Sequence, residues 1–329
     1  MLKYALRMLR IALFTRHLFR NWLSAALRYL LIKYGLASGY VIVKCGAASY
    51  KLSPDLYSFV VNAYYDGLIA VHRCGDRVEF SIGGVIKLSI CDEGAFFVTP
   101  DGVKLWADVF DYAAIFETWI YDIHFLGFNL DNWIVVDIGA FIGDTALYYA
   151  SRGAFVVAVE PVPRHFEAML RNIELNPTLK PRIVPVNAAI ASTEGFVDVA
   201  VGDEIDGEAS IYKRGVKTYR VKSYTLKSLI EHLKNLGIEI NKFKVRALKM
   251  DCKGCEYDVV DNEPDVLKLF DVLKIEYSGH LRGYTVERLI RPIEDRLGFK
   301  CRMYAHNDIA VKLGLDKHGM ITCVRRDYV

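Results

Sequence analysis

Short apolar segments alternate, in the second half of the chain, with segments whose apolar residues recur at helical spacing. Residues 133–136 and 155–159 are unbroken apolar runs, which predict two buried strands. We also expect helices at 163–175, 226–236 and 286–296, strands at 182–187, 196–201 and 270–277, and a closing hairpin at 300–305 and 309–313. Strands that alternate with helices predict an α/β fold with a mostly parallel sheet, and the hairpin would add an antiparallel edge.

The first half of the chain has a different character. Four short alternating segments between residues 39 and 130 are separated by glycine-containing turns, which predicts a small β-rich region. An aromatic-rich helical stretch at 106–121 follows, and such a stripe is typical of a core. We therefore expect a helical segment at 1–38, an accessory β-rich and aromatic helical region at 39–130, and an α/β domain at 131–329.

The N-terminal segment is basic and amphipathic. Residues 1–54 contain nine lysines and arginines and no acid, so the rest of the chain carries a net charge of −6 although the whole chain carries +3. Leucines recur at helical spacing from Leu2 to Leu27 with arginines between them, which predicts a helix or a helix pair. No uncharged run reaches the roughly 18 residues that would span a bilayer.

Two roles for residues 1–34 stay open at this point. They suit the surface of an anionic membrane, with the arginines among the headgroups and Trp22 at the interface. They also suit packing against the acidic remainder of the chain or an oligomer interface, and the oligomeric state is not determined by the sequence. No nucleic-acid partner is expected, because the basic residues alternate with large aliphatic ones and lack stacking aromatics.

A glycine-containing turn follows the first predicted strand of the α/β domain. Asp137 is followed by Gly139 and Gly143, which allow a sharp turn and a close approach to a ligand, and Glu160 ends the next strand. A carboxylate in that position can accept both hydroxyls of a ribose. An ordinary α/β turn, in which the glycines only permit tight packing, is the alternative.

The spacing of the turn distinguishes between nucleotides. A dinucleotide site has Gly-x-Gly-x-x-Gly, whereas this turn has an acid before the first glycine and Phe141 in place of a third one. An acid would repel a pyrophosphate but suits a cationic ligand. S-adenosylmethionine carries an ammonium and a sulfonium and no phosphate, so it is the expected cofactor, and a nicotinamide-dependent oxidoreductase is the weaker alternative.

A third strand, turn and helix start follow at 247–260. With the earlier segments it resembles the successive blocks of the FkbM-type S-adenosylmethionine-dependent methyltransferases, and the resemblance covers about residues 131–313. The matching blocks are Asp137-Ile-Gly-Ala-Phe-Ile-Gly-Asp-Thr145, Val159-Glu-Pro161, Asn187-Ala-Ala-Ile190, Tyr224-Thr-Leu226 and Leu248-Lys-Met-Asp-Cys-Lys-Gly-Cys-Glu256. The resemblance implies a Rossmann-like class I methyltransferase fold with a seven-stranded sheet at 131–329.

The resemblance also implies site residues. Those expected to hold the cofactor are Asp137, Gly139, Ala140, Phe141, Gly143, Thr145, Glu160, Pro161, Ala188 and Ala189. A base should remove the acceptor's proton as the methyl bond forms. Asp251 is the first choice for this base, and Glu276 and His280 are the other candidates. Each has a structural alternative, such as a helix cap or a salt bridge.

Two departures from the family pattern occur in the last block. Lys253 stands where the family usually has an acid, which reverses one charge at the expected rim of the site. Cys252 and Cys255 form a Cys-x-x-Cys motif, which zinc sites and redox sites also contain. The other cysteines are scattered singly, so no metal site is expected and buried thiols are the favoured interpretation.

The sequence as a whole predicts a methyltransferase that acts on a hydroxyl of a sugar, a glycolipid or a related small molecule. A catalytically silent, cofactor-binding scaffold at a membrane surface is the alternative from another class, motivated by Lys253. Seven cysteines without regular spacing and no signal-peptide pattern favour a cytoplasmic location, with the protein either free or on the cytoplasmic face of a membrane.

Overall fold

The structure is a computed structural model that describes residues 10–46, 48–73, 78–82, 84–91, 94–108, 112–119, 124, 129–202, 209–212, 217–279, 282–305 and 318–328. The chain divides into two compact units, Met1–Tyr121 and Asp122–Val329. No helix among the described residues is both long and apolar enough to cross a membrane.

The first unit combines helices with two small antiparallel sheets. Helix α1 (Trp22–Lys33) precedes a hairpin of β1 (Val41–Cys45) and β2 (Ala48–Leu52). Helix α2 (Pro54–Tyr65) begins where the Ser53 hydroxyl accepts a hydrogen bond from the backbone N–H of Leu56. A five-stranded meander follows, consisting of β3 (Ile69–Arg73), β4 (Val78–Ile82), β5 (Ile86–Cys91), β6 (Gly94–Val98) and β7 (Lys104–Trp106), and then helix α3 (Tyr112–Trp119).

The second unit is built on a seven-stranded sheet. Its elements in chain order are β8 (Trp133–Ile138), α4 (Asp144–Ser151), β9 (Phe155–Val159), α5 (Pro163–Glu174), β10 (Ile183–Val186), β11 (Ala189–Ile190), β12 (Gly195–Val201), β13 (Lys217–Tyr224), α6 (Leu226–Asn235), β14 (Val245–Met250), α7 (Cys255–Asn262), α8 (Pro264–Leu267), β15 (Val272–Ser278), α9 (Glu287–Leu297), β16 (Phe299–Ala305) and β17 (His318–Arg325). The strand order is β10-β9-β8-β14-β15-β17-β16. The first five strands are parallel, and β17 and β16 form the antiparallel edge, which confirms the predicted fold class.

The order of this sheet reverses direction between β8 and β14. Every residue of β8 and of β15 is buried, as expected for central parallel strands covered on both faces. In open α/β sheets a ligand binds beyond the carboxyl ends of the strands at such a reversal. The topology therefore predicts a ligand site at residues 139–143 and 251–256, which follow β8 and β14.

Two parts of the sequence prediction need correction. The partner of the 300–305 strand is His318–Arg325, whereas the predicted partner at 309–313 lies outside the described residues. A separate sheet of order β11-β13-β12 was also not expected, because a long connection rather than a tight turn separates β12 from β13. Helix α6 agrees with its prediction, and Thr225 caps it in a capping box with Ser228.

Candidate active site

A pocket opens at the carboxyl ends of β8, β9 and β14, where open α/β sheets bind their ligands. Residues from six separate segments of the second unit line it. The lining comprises Ile138, Gly139, Phe141, Val159, Glu160, Pro161, His165, Ala188, Ala189, Ile190, Val199, Ala209, Ser210, Ile211, Asp251 and Cys252. Seven of the expected site residues thus lie in one pocket: Gly139, Phe141, Glu160, Pro161, Ala188, Ala189 and Asp251.

The turn after β8 passes directly beneath the backbone of Asp251. Gly139 has a φ of +78°, and a Cβ atom on it would lie 1.9 Å from the carbonyl oxygen of Asp251. Gly143, with a φ of +81°, would place a Cβ atom 2.7 Å from Cγ of Met169. Both positions therefore require glycine for close packing as well as for their backbone conformation.

Glu160 is buried at the tip of β9 and is held by backbone groups. Its Oε2 accepts a hydrogen bond of 2.9 Å from the N–H of Phe141, and its Oε1 accepts one of 2.8 Å from the N–H of Val162. His165 Nδ1 lies 3.5 Å from Oε1, and the Phe141 and His165 rings pack with their centroids 4.6 Å apart. Each carboxylate oxygen has two lone pairs, so both retain acceptor capacity toward the pocket.

Asp137 lies beneath the pocket rather than in its lining. Its side chain is fully buried, Oδ2 accepts a 2.6 Å hydrogen bond from Thr145 Oγ1, and Oδ1 lies 3.0 Å from Nζ of Lys249. Ala140, Gly143 and Thr145 are likewise absent from the lining among the described residues. The structure thus separates the ten residues expected at the cofactor into six that line the pocket and four that support it.

Lys249 is a residue of the site that the sequence analysis missed. It is buried in β14, and besides Asp137 its ammonium contacts the carbonyl oxygen of Gly139 at 2.8 Å and Oδ2 of Asp251 at 3.8 Å. Burial lowers the pKa of Lys249, but the carboxylates of Asp137 and Asp251 raise it, and the net shift is upward. A lysine within the otherwise apolar run Ala247–Met250 was the available signal, since lysine is almost never buried without a partner.

Lys253 forms ion pairs with both Asp251 and Glu276. Nζ of Lys253 lies 2.8 Å from Oδ1 of Asp251 and 2.6 Å from Oε1 of Glu276, and all three residues have restricted access to solvent. Burial and the neighbouring Glu276 raise the pKa of Asp251 to about 6, although Lys253 and Lys249 oppose the shift. Burial lowers the pKa of Lys253, but the two carboxylates outweigh it and raise that pKa above its ordinary value.

The three predicted candidates for a catalytic base are therefore placed differently. Asp251 lines the pocket. Glu276 lies behind Lys253 and is not part of the lining, and His280 lies outside the described residues. Four ion pairs form a chain in which acidic and basic residues alternate, in the order Asp137, Lys249, Asp251, Lys253 and Glu276. The five side chains together carry a formal charge of −1.

The sequence favoured buried thiols in the Cys-x-x-Cys motif, and the structure differs from this prediction. Cys252 and Cys255 are joined by a disulfide, and Cys301 and Cys323 form another between paired residues of β16 and β17. The sulfurs of the motif and a carboxylate oxygen of Glu256 lie within 4.8 Å of one another, which is a metal-ligand grouping. Because the two sulfurs are bonded to each other, they are not available as thiolate ligands in this form.

Segment 209–212, between β12 and β13, also contributes to the pocket. Ala209, Ser210 and Ile211 line the pocket, and the Ser210 hydroxyl donates a 2.6 Å hydrogen bond to the carbonyl oxygen of Lys253. The Tyr212 hydroxyl donates to Asp258, and its ring occupies the space that a Cβ atom on Gly254 would need. The segment is thereby fixed over the turn that carries Lys253.

The strand order, the glycine turn and the carboxylate at the tip of β9 define the class of protein as a Rossmann-like α/β domain of the methyltransferase type. The sequence model of the family described as "Methyltransferase FkbM domain" matches residues 137–301. The chain therefore belongs to this family, which confirms the family predicted from its sequence blocks.

Comparisons with solved structures give matches of low sequence identity. A methyltransferase FkbM from Methylobacillus flagellatus is 12% identical with a TM-score of 0.39, and the match covers 60% of this chain and 45% of that one. Fibrillarin from Aeropyrum pernix in complex with S-adenosyl-L-methionine is 14% identical over 78% of this chain and 99% of that one, with a TM-score of 0.37. An O-methyltransferase from Bacillus cereus in complex with SAH is 12% identical over 66% and 81%, with a TM-score of 0.33.

This chain thus spans less than half the length of the FkbM methyltransferase that it matches. No curated protein matches its sequence.

Proposed function

We propose that the protein is an S-adenosylmethionine-dependent methyltransferase that methylates a hydroxyl of a sugar, a glycolipid or a related small molecule. The cofactor is S-adenosylmethionine, as predicted from the sequence blocks. The single observation that carries the proposal is the pocket in which Glu160, the Gly139 turn and Asp251 meet, because it combines a place for a ribose, a close backbone approach and a base.

The charge of the pocket favours this cofactor over a dinucleotide. Glu160 and Asp251 contribute acidic oxygens, and the ammonium groups of Lys249 and Lys253 are already paired with carboxylates. A pyrophosphate would be repelled by such a lining, whereas a sulfonium and an ammonium are attracted by it. These charges support S-adenosylmethionine and argue against the nicotinamide alternative.

The ribose and the adenine of the cofactor each have a suitable group in the pocket. Glu160 accepts hydrogen bonds from the ribose hydroxyls, while the backbone N–H groups of Phe141 and Val162 fix its carboxylate. Ala188 and Ala189 leave room for the flat adenine ring beside Ile190 and Val199. Asp137, Ala140, Gly143 and Thr145 are buried and support the turn without lining the pocket.

Asp251 is the proposed general base. S-adenosylmethionine supplies an electrophilic methyl group. Asp251 would accept the proton of the acceptor hydroxyl as the methyl group passes from the sulfonium sulfur to the hydroxyl oxygen, and with a pKa of about 6 its carboxyl is largely ionised at neutral pH. Lys253 and Glu276 hold its carboxylate in place, and they keep the formal charge of the cluster at −1 opposite the cationic cofactor.

We further propose that residues 1–34 contact an anionic membrane surface from the cytoplasmic side. Leu23 and Leu27 of α1 are 65% and 58% exposed, and Leu13 and Phe14 are also exposed. Arginines and lysines of the same segment complement anionic headgroups. Co-sedimentation with vesicles of phosphatidylserine should exceed that with phosphatidylcholine and should fall when Leu23 and Leu27 are both replaced by Ser. Equal sedimentation of both proteins would contradict the membrane contact.

A labelling experiment tests the catalytic proposal. The protein is incubated with methyl-labelled S-adenosylmethionine and a panel of monosaccharides, glycolipids and carboxylic acids. We expect labelled product from a hydroxyl acceptor that resists mild alkali, because a methyl ether is stable where a methyl ester hydrolyses. Label only in an alkali-labile product would overturn hydroxyl methylation.

A binding measurement separates the enzyme from the other classes. Calorimetric titration should show that S-adenosylhomocysteine binds and that NAD does not. Binding of S-adenosylhomocysteine without transfer to any acceptor class would favour the silent scaffold. If S-adenosylhomocysteine does not bind to the folded protein, the methyltransferase proposal is wrong.

A further inference from the structure

The disulfide between Cys252 and Cys255 has no role in methyl transfer as proposed above. It lies in the turn between β14 and α7, directly after Asp251. Cys252 is partly buried and lines the pocket, whereas Cys255 is 1% exposed and is the first residue of α7. The turn thus presents one partly buried cysteine, two intervening residues and one buried cysteine at the N-terminus of a helix.

This geometry is suited to redox chemistry. Backbone N–H groups and the helix dipole at a helix N-terminus stabilise a thiolate, which makes Cys255 a good leaving group when the disulfide is attacked. In a reducing cytoplasm, the compartment expected from the sequence, disulfides are typically transient, catalytic or redox-sensing.

We propose that Cys252 and Cys255 form a thiol–disulfide exchange site, and that its redox state controls the cofactor pocket. The exchange stands on the geometry of the turn alone. The control of the pocket rests in addition on the proposed function. The reaction partner is a dithiol, or two molecules of a monothiol.

The exchange is balanced in electrons and protons. A thiolate of the reductant attacks Sγ of Cys252, the bond between Cys252 and Cys255 breaks, and Cys255 leaves as a thiolate. The second thiolate of the reductant then attacks the mixed disulfide and releases Cys252. Two electrons pass to the protein, the reductant becomes a disulfide, and its two protons end on Cys252 and Cys255.

Glu256 lies close enough to Cys252 to accept or donate one of these protons. Its Oε2 is 3.5 Å from Sγ of Cys252, and the backbone N–H groups of Gly254 and Ser278 fix the carboxyl group at 2.8 and 3.0 Å. The residue is fully buried, and burial raises its pKa to about 7. A group with this pKa exchanges protons with a thiol at neutral pH.

The redox state of the two cysteines affects the pocket through the conformation of Lys253. This residue lies inside the four-residue loop that the disulfide closes, and it has a φ of +53°, a conformation that costs a non-glycine residue free energy. In the disulfide form the closed loop favours this conformation, which directs the ammonium between Asp251 and Glu276. Reduction removes the constraint, so Lys253 can relax and the position of Asp251 is less fixed.

The disulfide of Cys301 and Cys323 provides an internal control. It joins directly paired residues of adjacent strands, Cys323 is fully buried, and neither cysteine begins a helix. We therefore expect it to be reduced at a higher thiol concentration than the disulfide of the turn.

The first experiment tests the exchange without any methyl transfer. The folded, full-length protein is equilibrated with increasing dithiothreitol, then alkylated and analysed by peptide mass spectrometry. Cys252 and Cys255 should be alkylated at lower dithiothreitol than Cys301 and Cys323, and oxidised glutathione should reverse the change. Simultaneous reduction of both disulfides, or resistance of the turn until the protein unfolds, would overturn the exchange site.

The second experiment tests the coupling. S-adenosylhomocysteine is titrated calorimetrically into the oxidised protein, into the protein reduced selectively at the turn, and into two double variants. Reduction and Cys252→Ser/Cys255→Ser should change the affinity in the same direction by a factor on the order of five or more, whereas Cys301→Ser/Cys323→Ser should resemble the wild type. Equal affinities in the oxidised and reduced forms would overturn the control of the pocket. If no form binds, the proposed function fails and the control fails with it, while the alkylation result still decides the exchange site.

Discussion

Nζ of Lys249 lies 3.0 Å from Oδ1 of Asp137, and this buried ion pair ties together the carboxyl ends of β8 and β14. The same ammonium donates a hydrogen bond to the carbonyl oxygen of Gly139, in the turn that lines the pocket. The glycine turn and Asp251 are therefore positioned by one cation that itself is 2% exposed and does not line the pocket.

Replacement of this lysine should destabilise the protein strongly. Lys249→Met leaves Asp137 buried without its partner, and such a loss typically lowers the free energy of unfolding by about 3–5 kcal/mol. The matched control is Lys242→Met, which removes an exposed pair with Glu239 and should cost about 0–1 kcal/mol. Urea denaturation followed by circular dichroism measures both. Similar costs for the two variants would show that the buried pair is not a stabilising contact.

The close approach at Gly139 can be separated from its backbone conformation. Gly139→Ala and Gly237→Ala both place a side chain at positive φ, which costs about 1–2 kcal/mol. A Cβ atom at Gly139 meets Asp251, whereas one at Gly237 meets open space. Gly139→Ala should therefore lower the free energy of unfolding by about 1–3 kcal/mol more and should weaken S-adenosylhomocysteine binding. Equal stability and intact binding in both variants would argue against the close packing of turn and strand.

Glu160→Gln tests the proposed ribose contact. The amide is similar in size but has no charge and only one acceptor oxygen, so one of its hydrogen bonds from Phe141, Val162 or the ribose is lost. Hydrogen bonds to charged groups contribute about 1.5–3 kcal/mol, so the affinity for S-adenosylhomocysteine should fall about 10- to 100-fold. Glu167→Gln on the exposed side of α5 is the control and should bind like the wild type. Unchanged affinity in Glu160→Gln would remove this residue from the cofactor site.

The pH dependence of the reaction tests Asp251. Burial and Glu276 raise the pKa of its carboxyl to about 6, and only the ionised form can accept the proton of a hydroxyl. The rate constant should therefore be at its plateau above pH 7 and should fall tenfold per pH unit well below about 6. A profile that stays flat through this range would exclude Asp251 as the base.

Substitution of the same residue gives an independent measurement. Asp251→Asn should lower kcat by a factor of about 10²–10⁴, the usual contribution of a general base, while cofactor affinity changes less. Asp198→Asn, at an exposed position of β12, is the control for loss of an acid. A large loss of cofactor affinity with an unchanged kcat would assign Asp251 to binding rather than catalysis.

Much of the fold followed from the sequence because its signals are local. The apolar runs of β8 and β9 and the capping residue Thr225 each depend on neighbours within a few positions, and the structure places these elements where they were expected. Strand β13 was missed and the second strand of the edge hairpin was misplaced, because a long connection rather than a tight turn joins each of them to the strand before it.

The candidate site divides in the same way. The glycine turn, Glu160 and Asp251 were recognisable because strand ends and spacing mark them, and the structure brings them to one pocket. Lys249 and Lys253 were not assigned a role, since a lysine's partners are set by where other strands end. The pairing of Cys252 with Cys255 likewise depends on a turn geometry that spacing alone does not fix.

The sequence by itself determined the α/β class, the family and the glycine turn that lines the pocket, because periodicity and short motifs encode local structure. Only the tertiary structure decided which charged residues line the pocket and which support it from beneath. The physical reason is that the energy of a buried charge depends on its distance from other charges and on its access to water. Both quantities arise only when β8, β14 and β15 lie side by side.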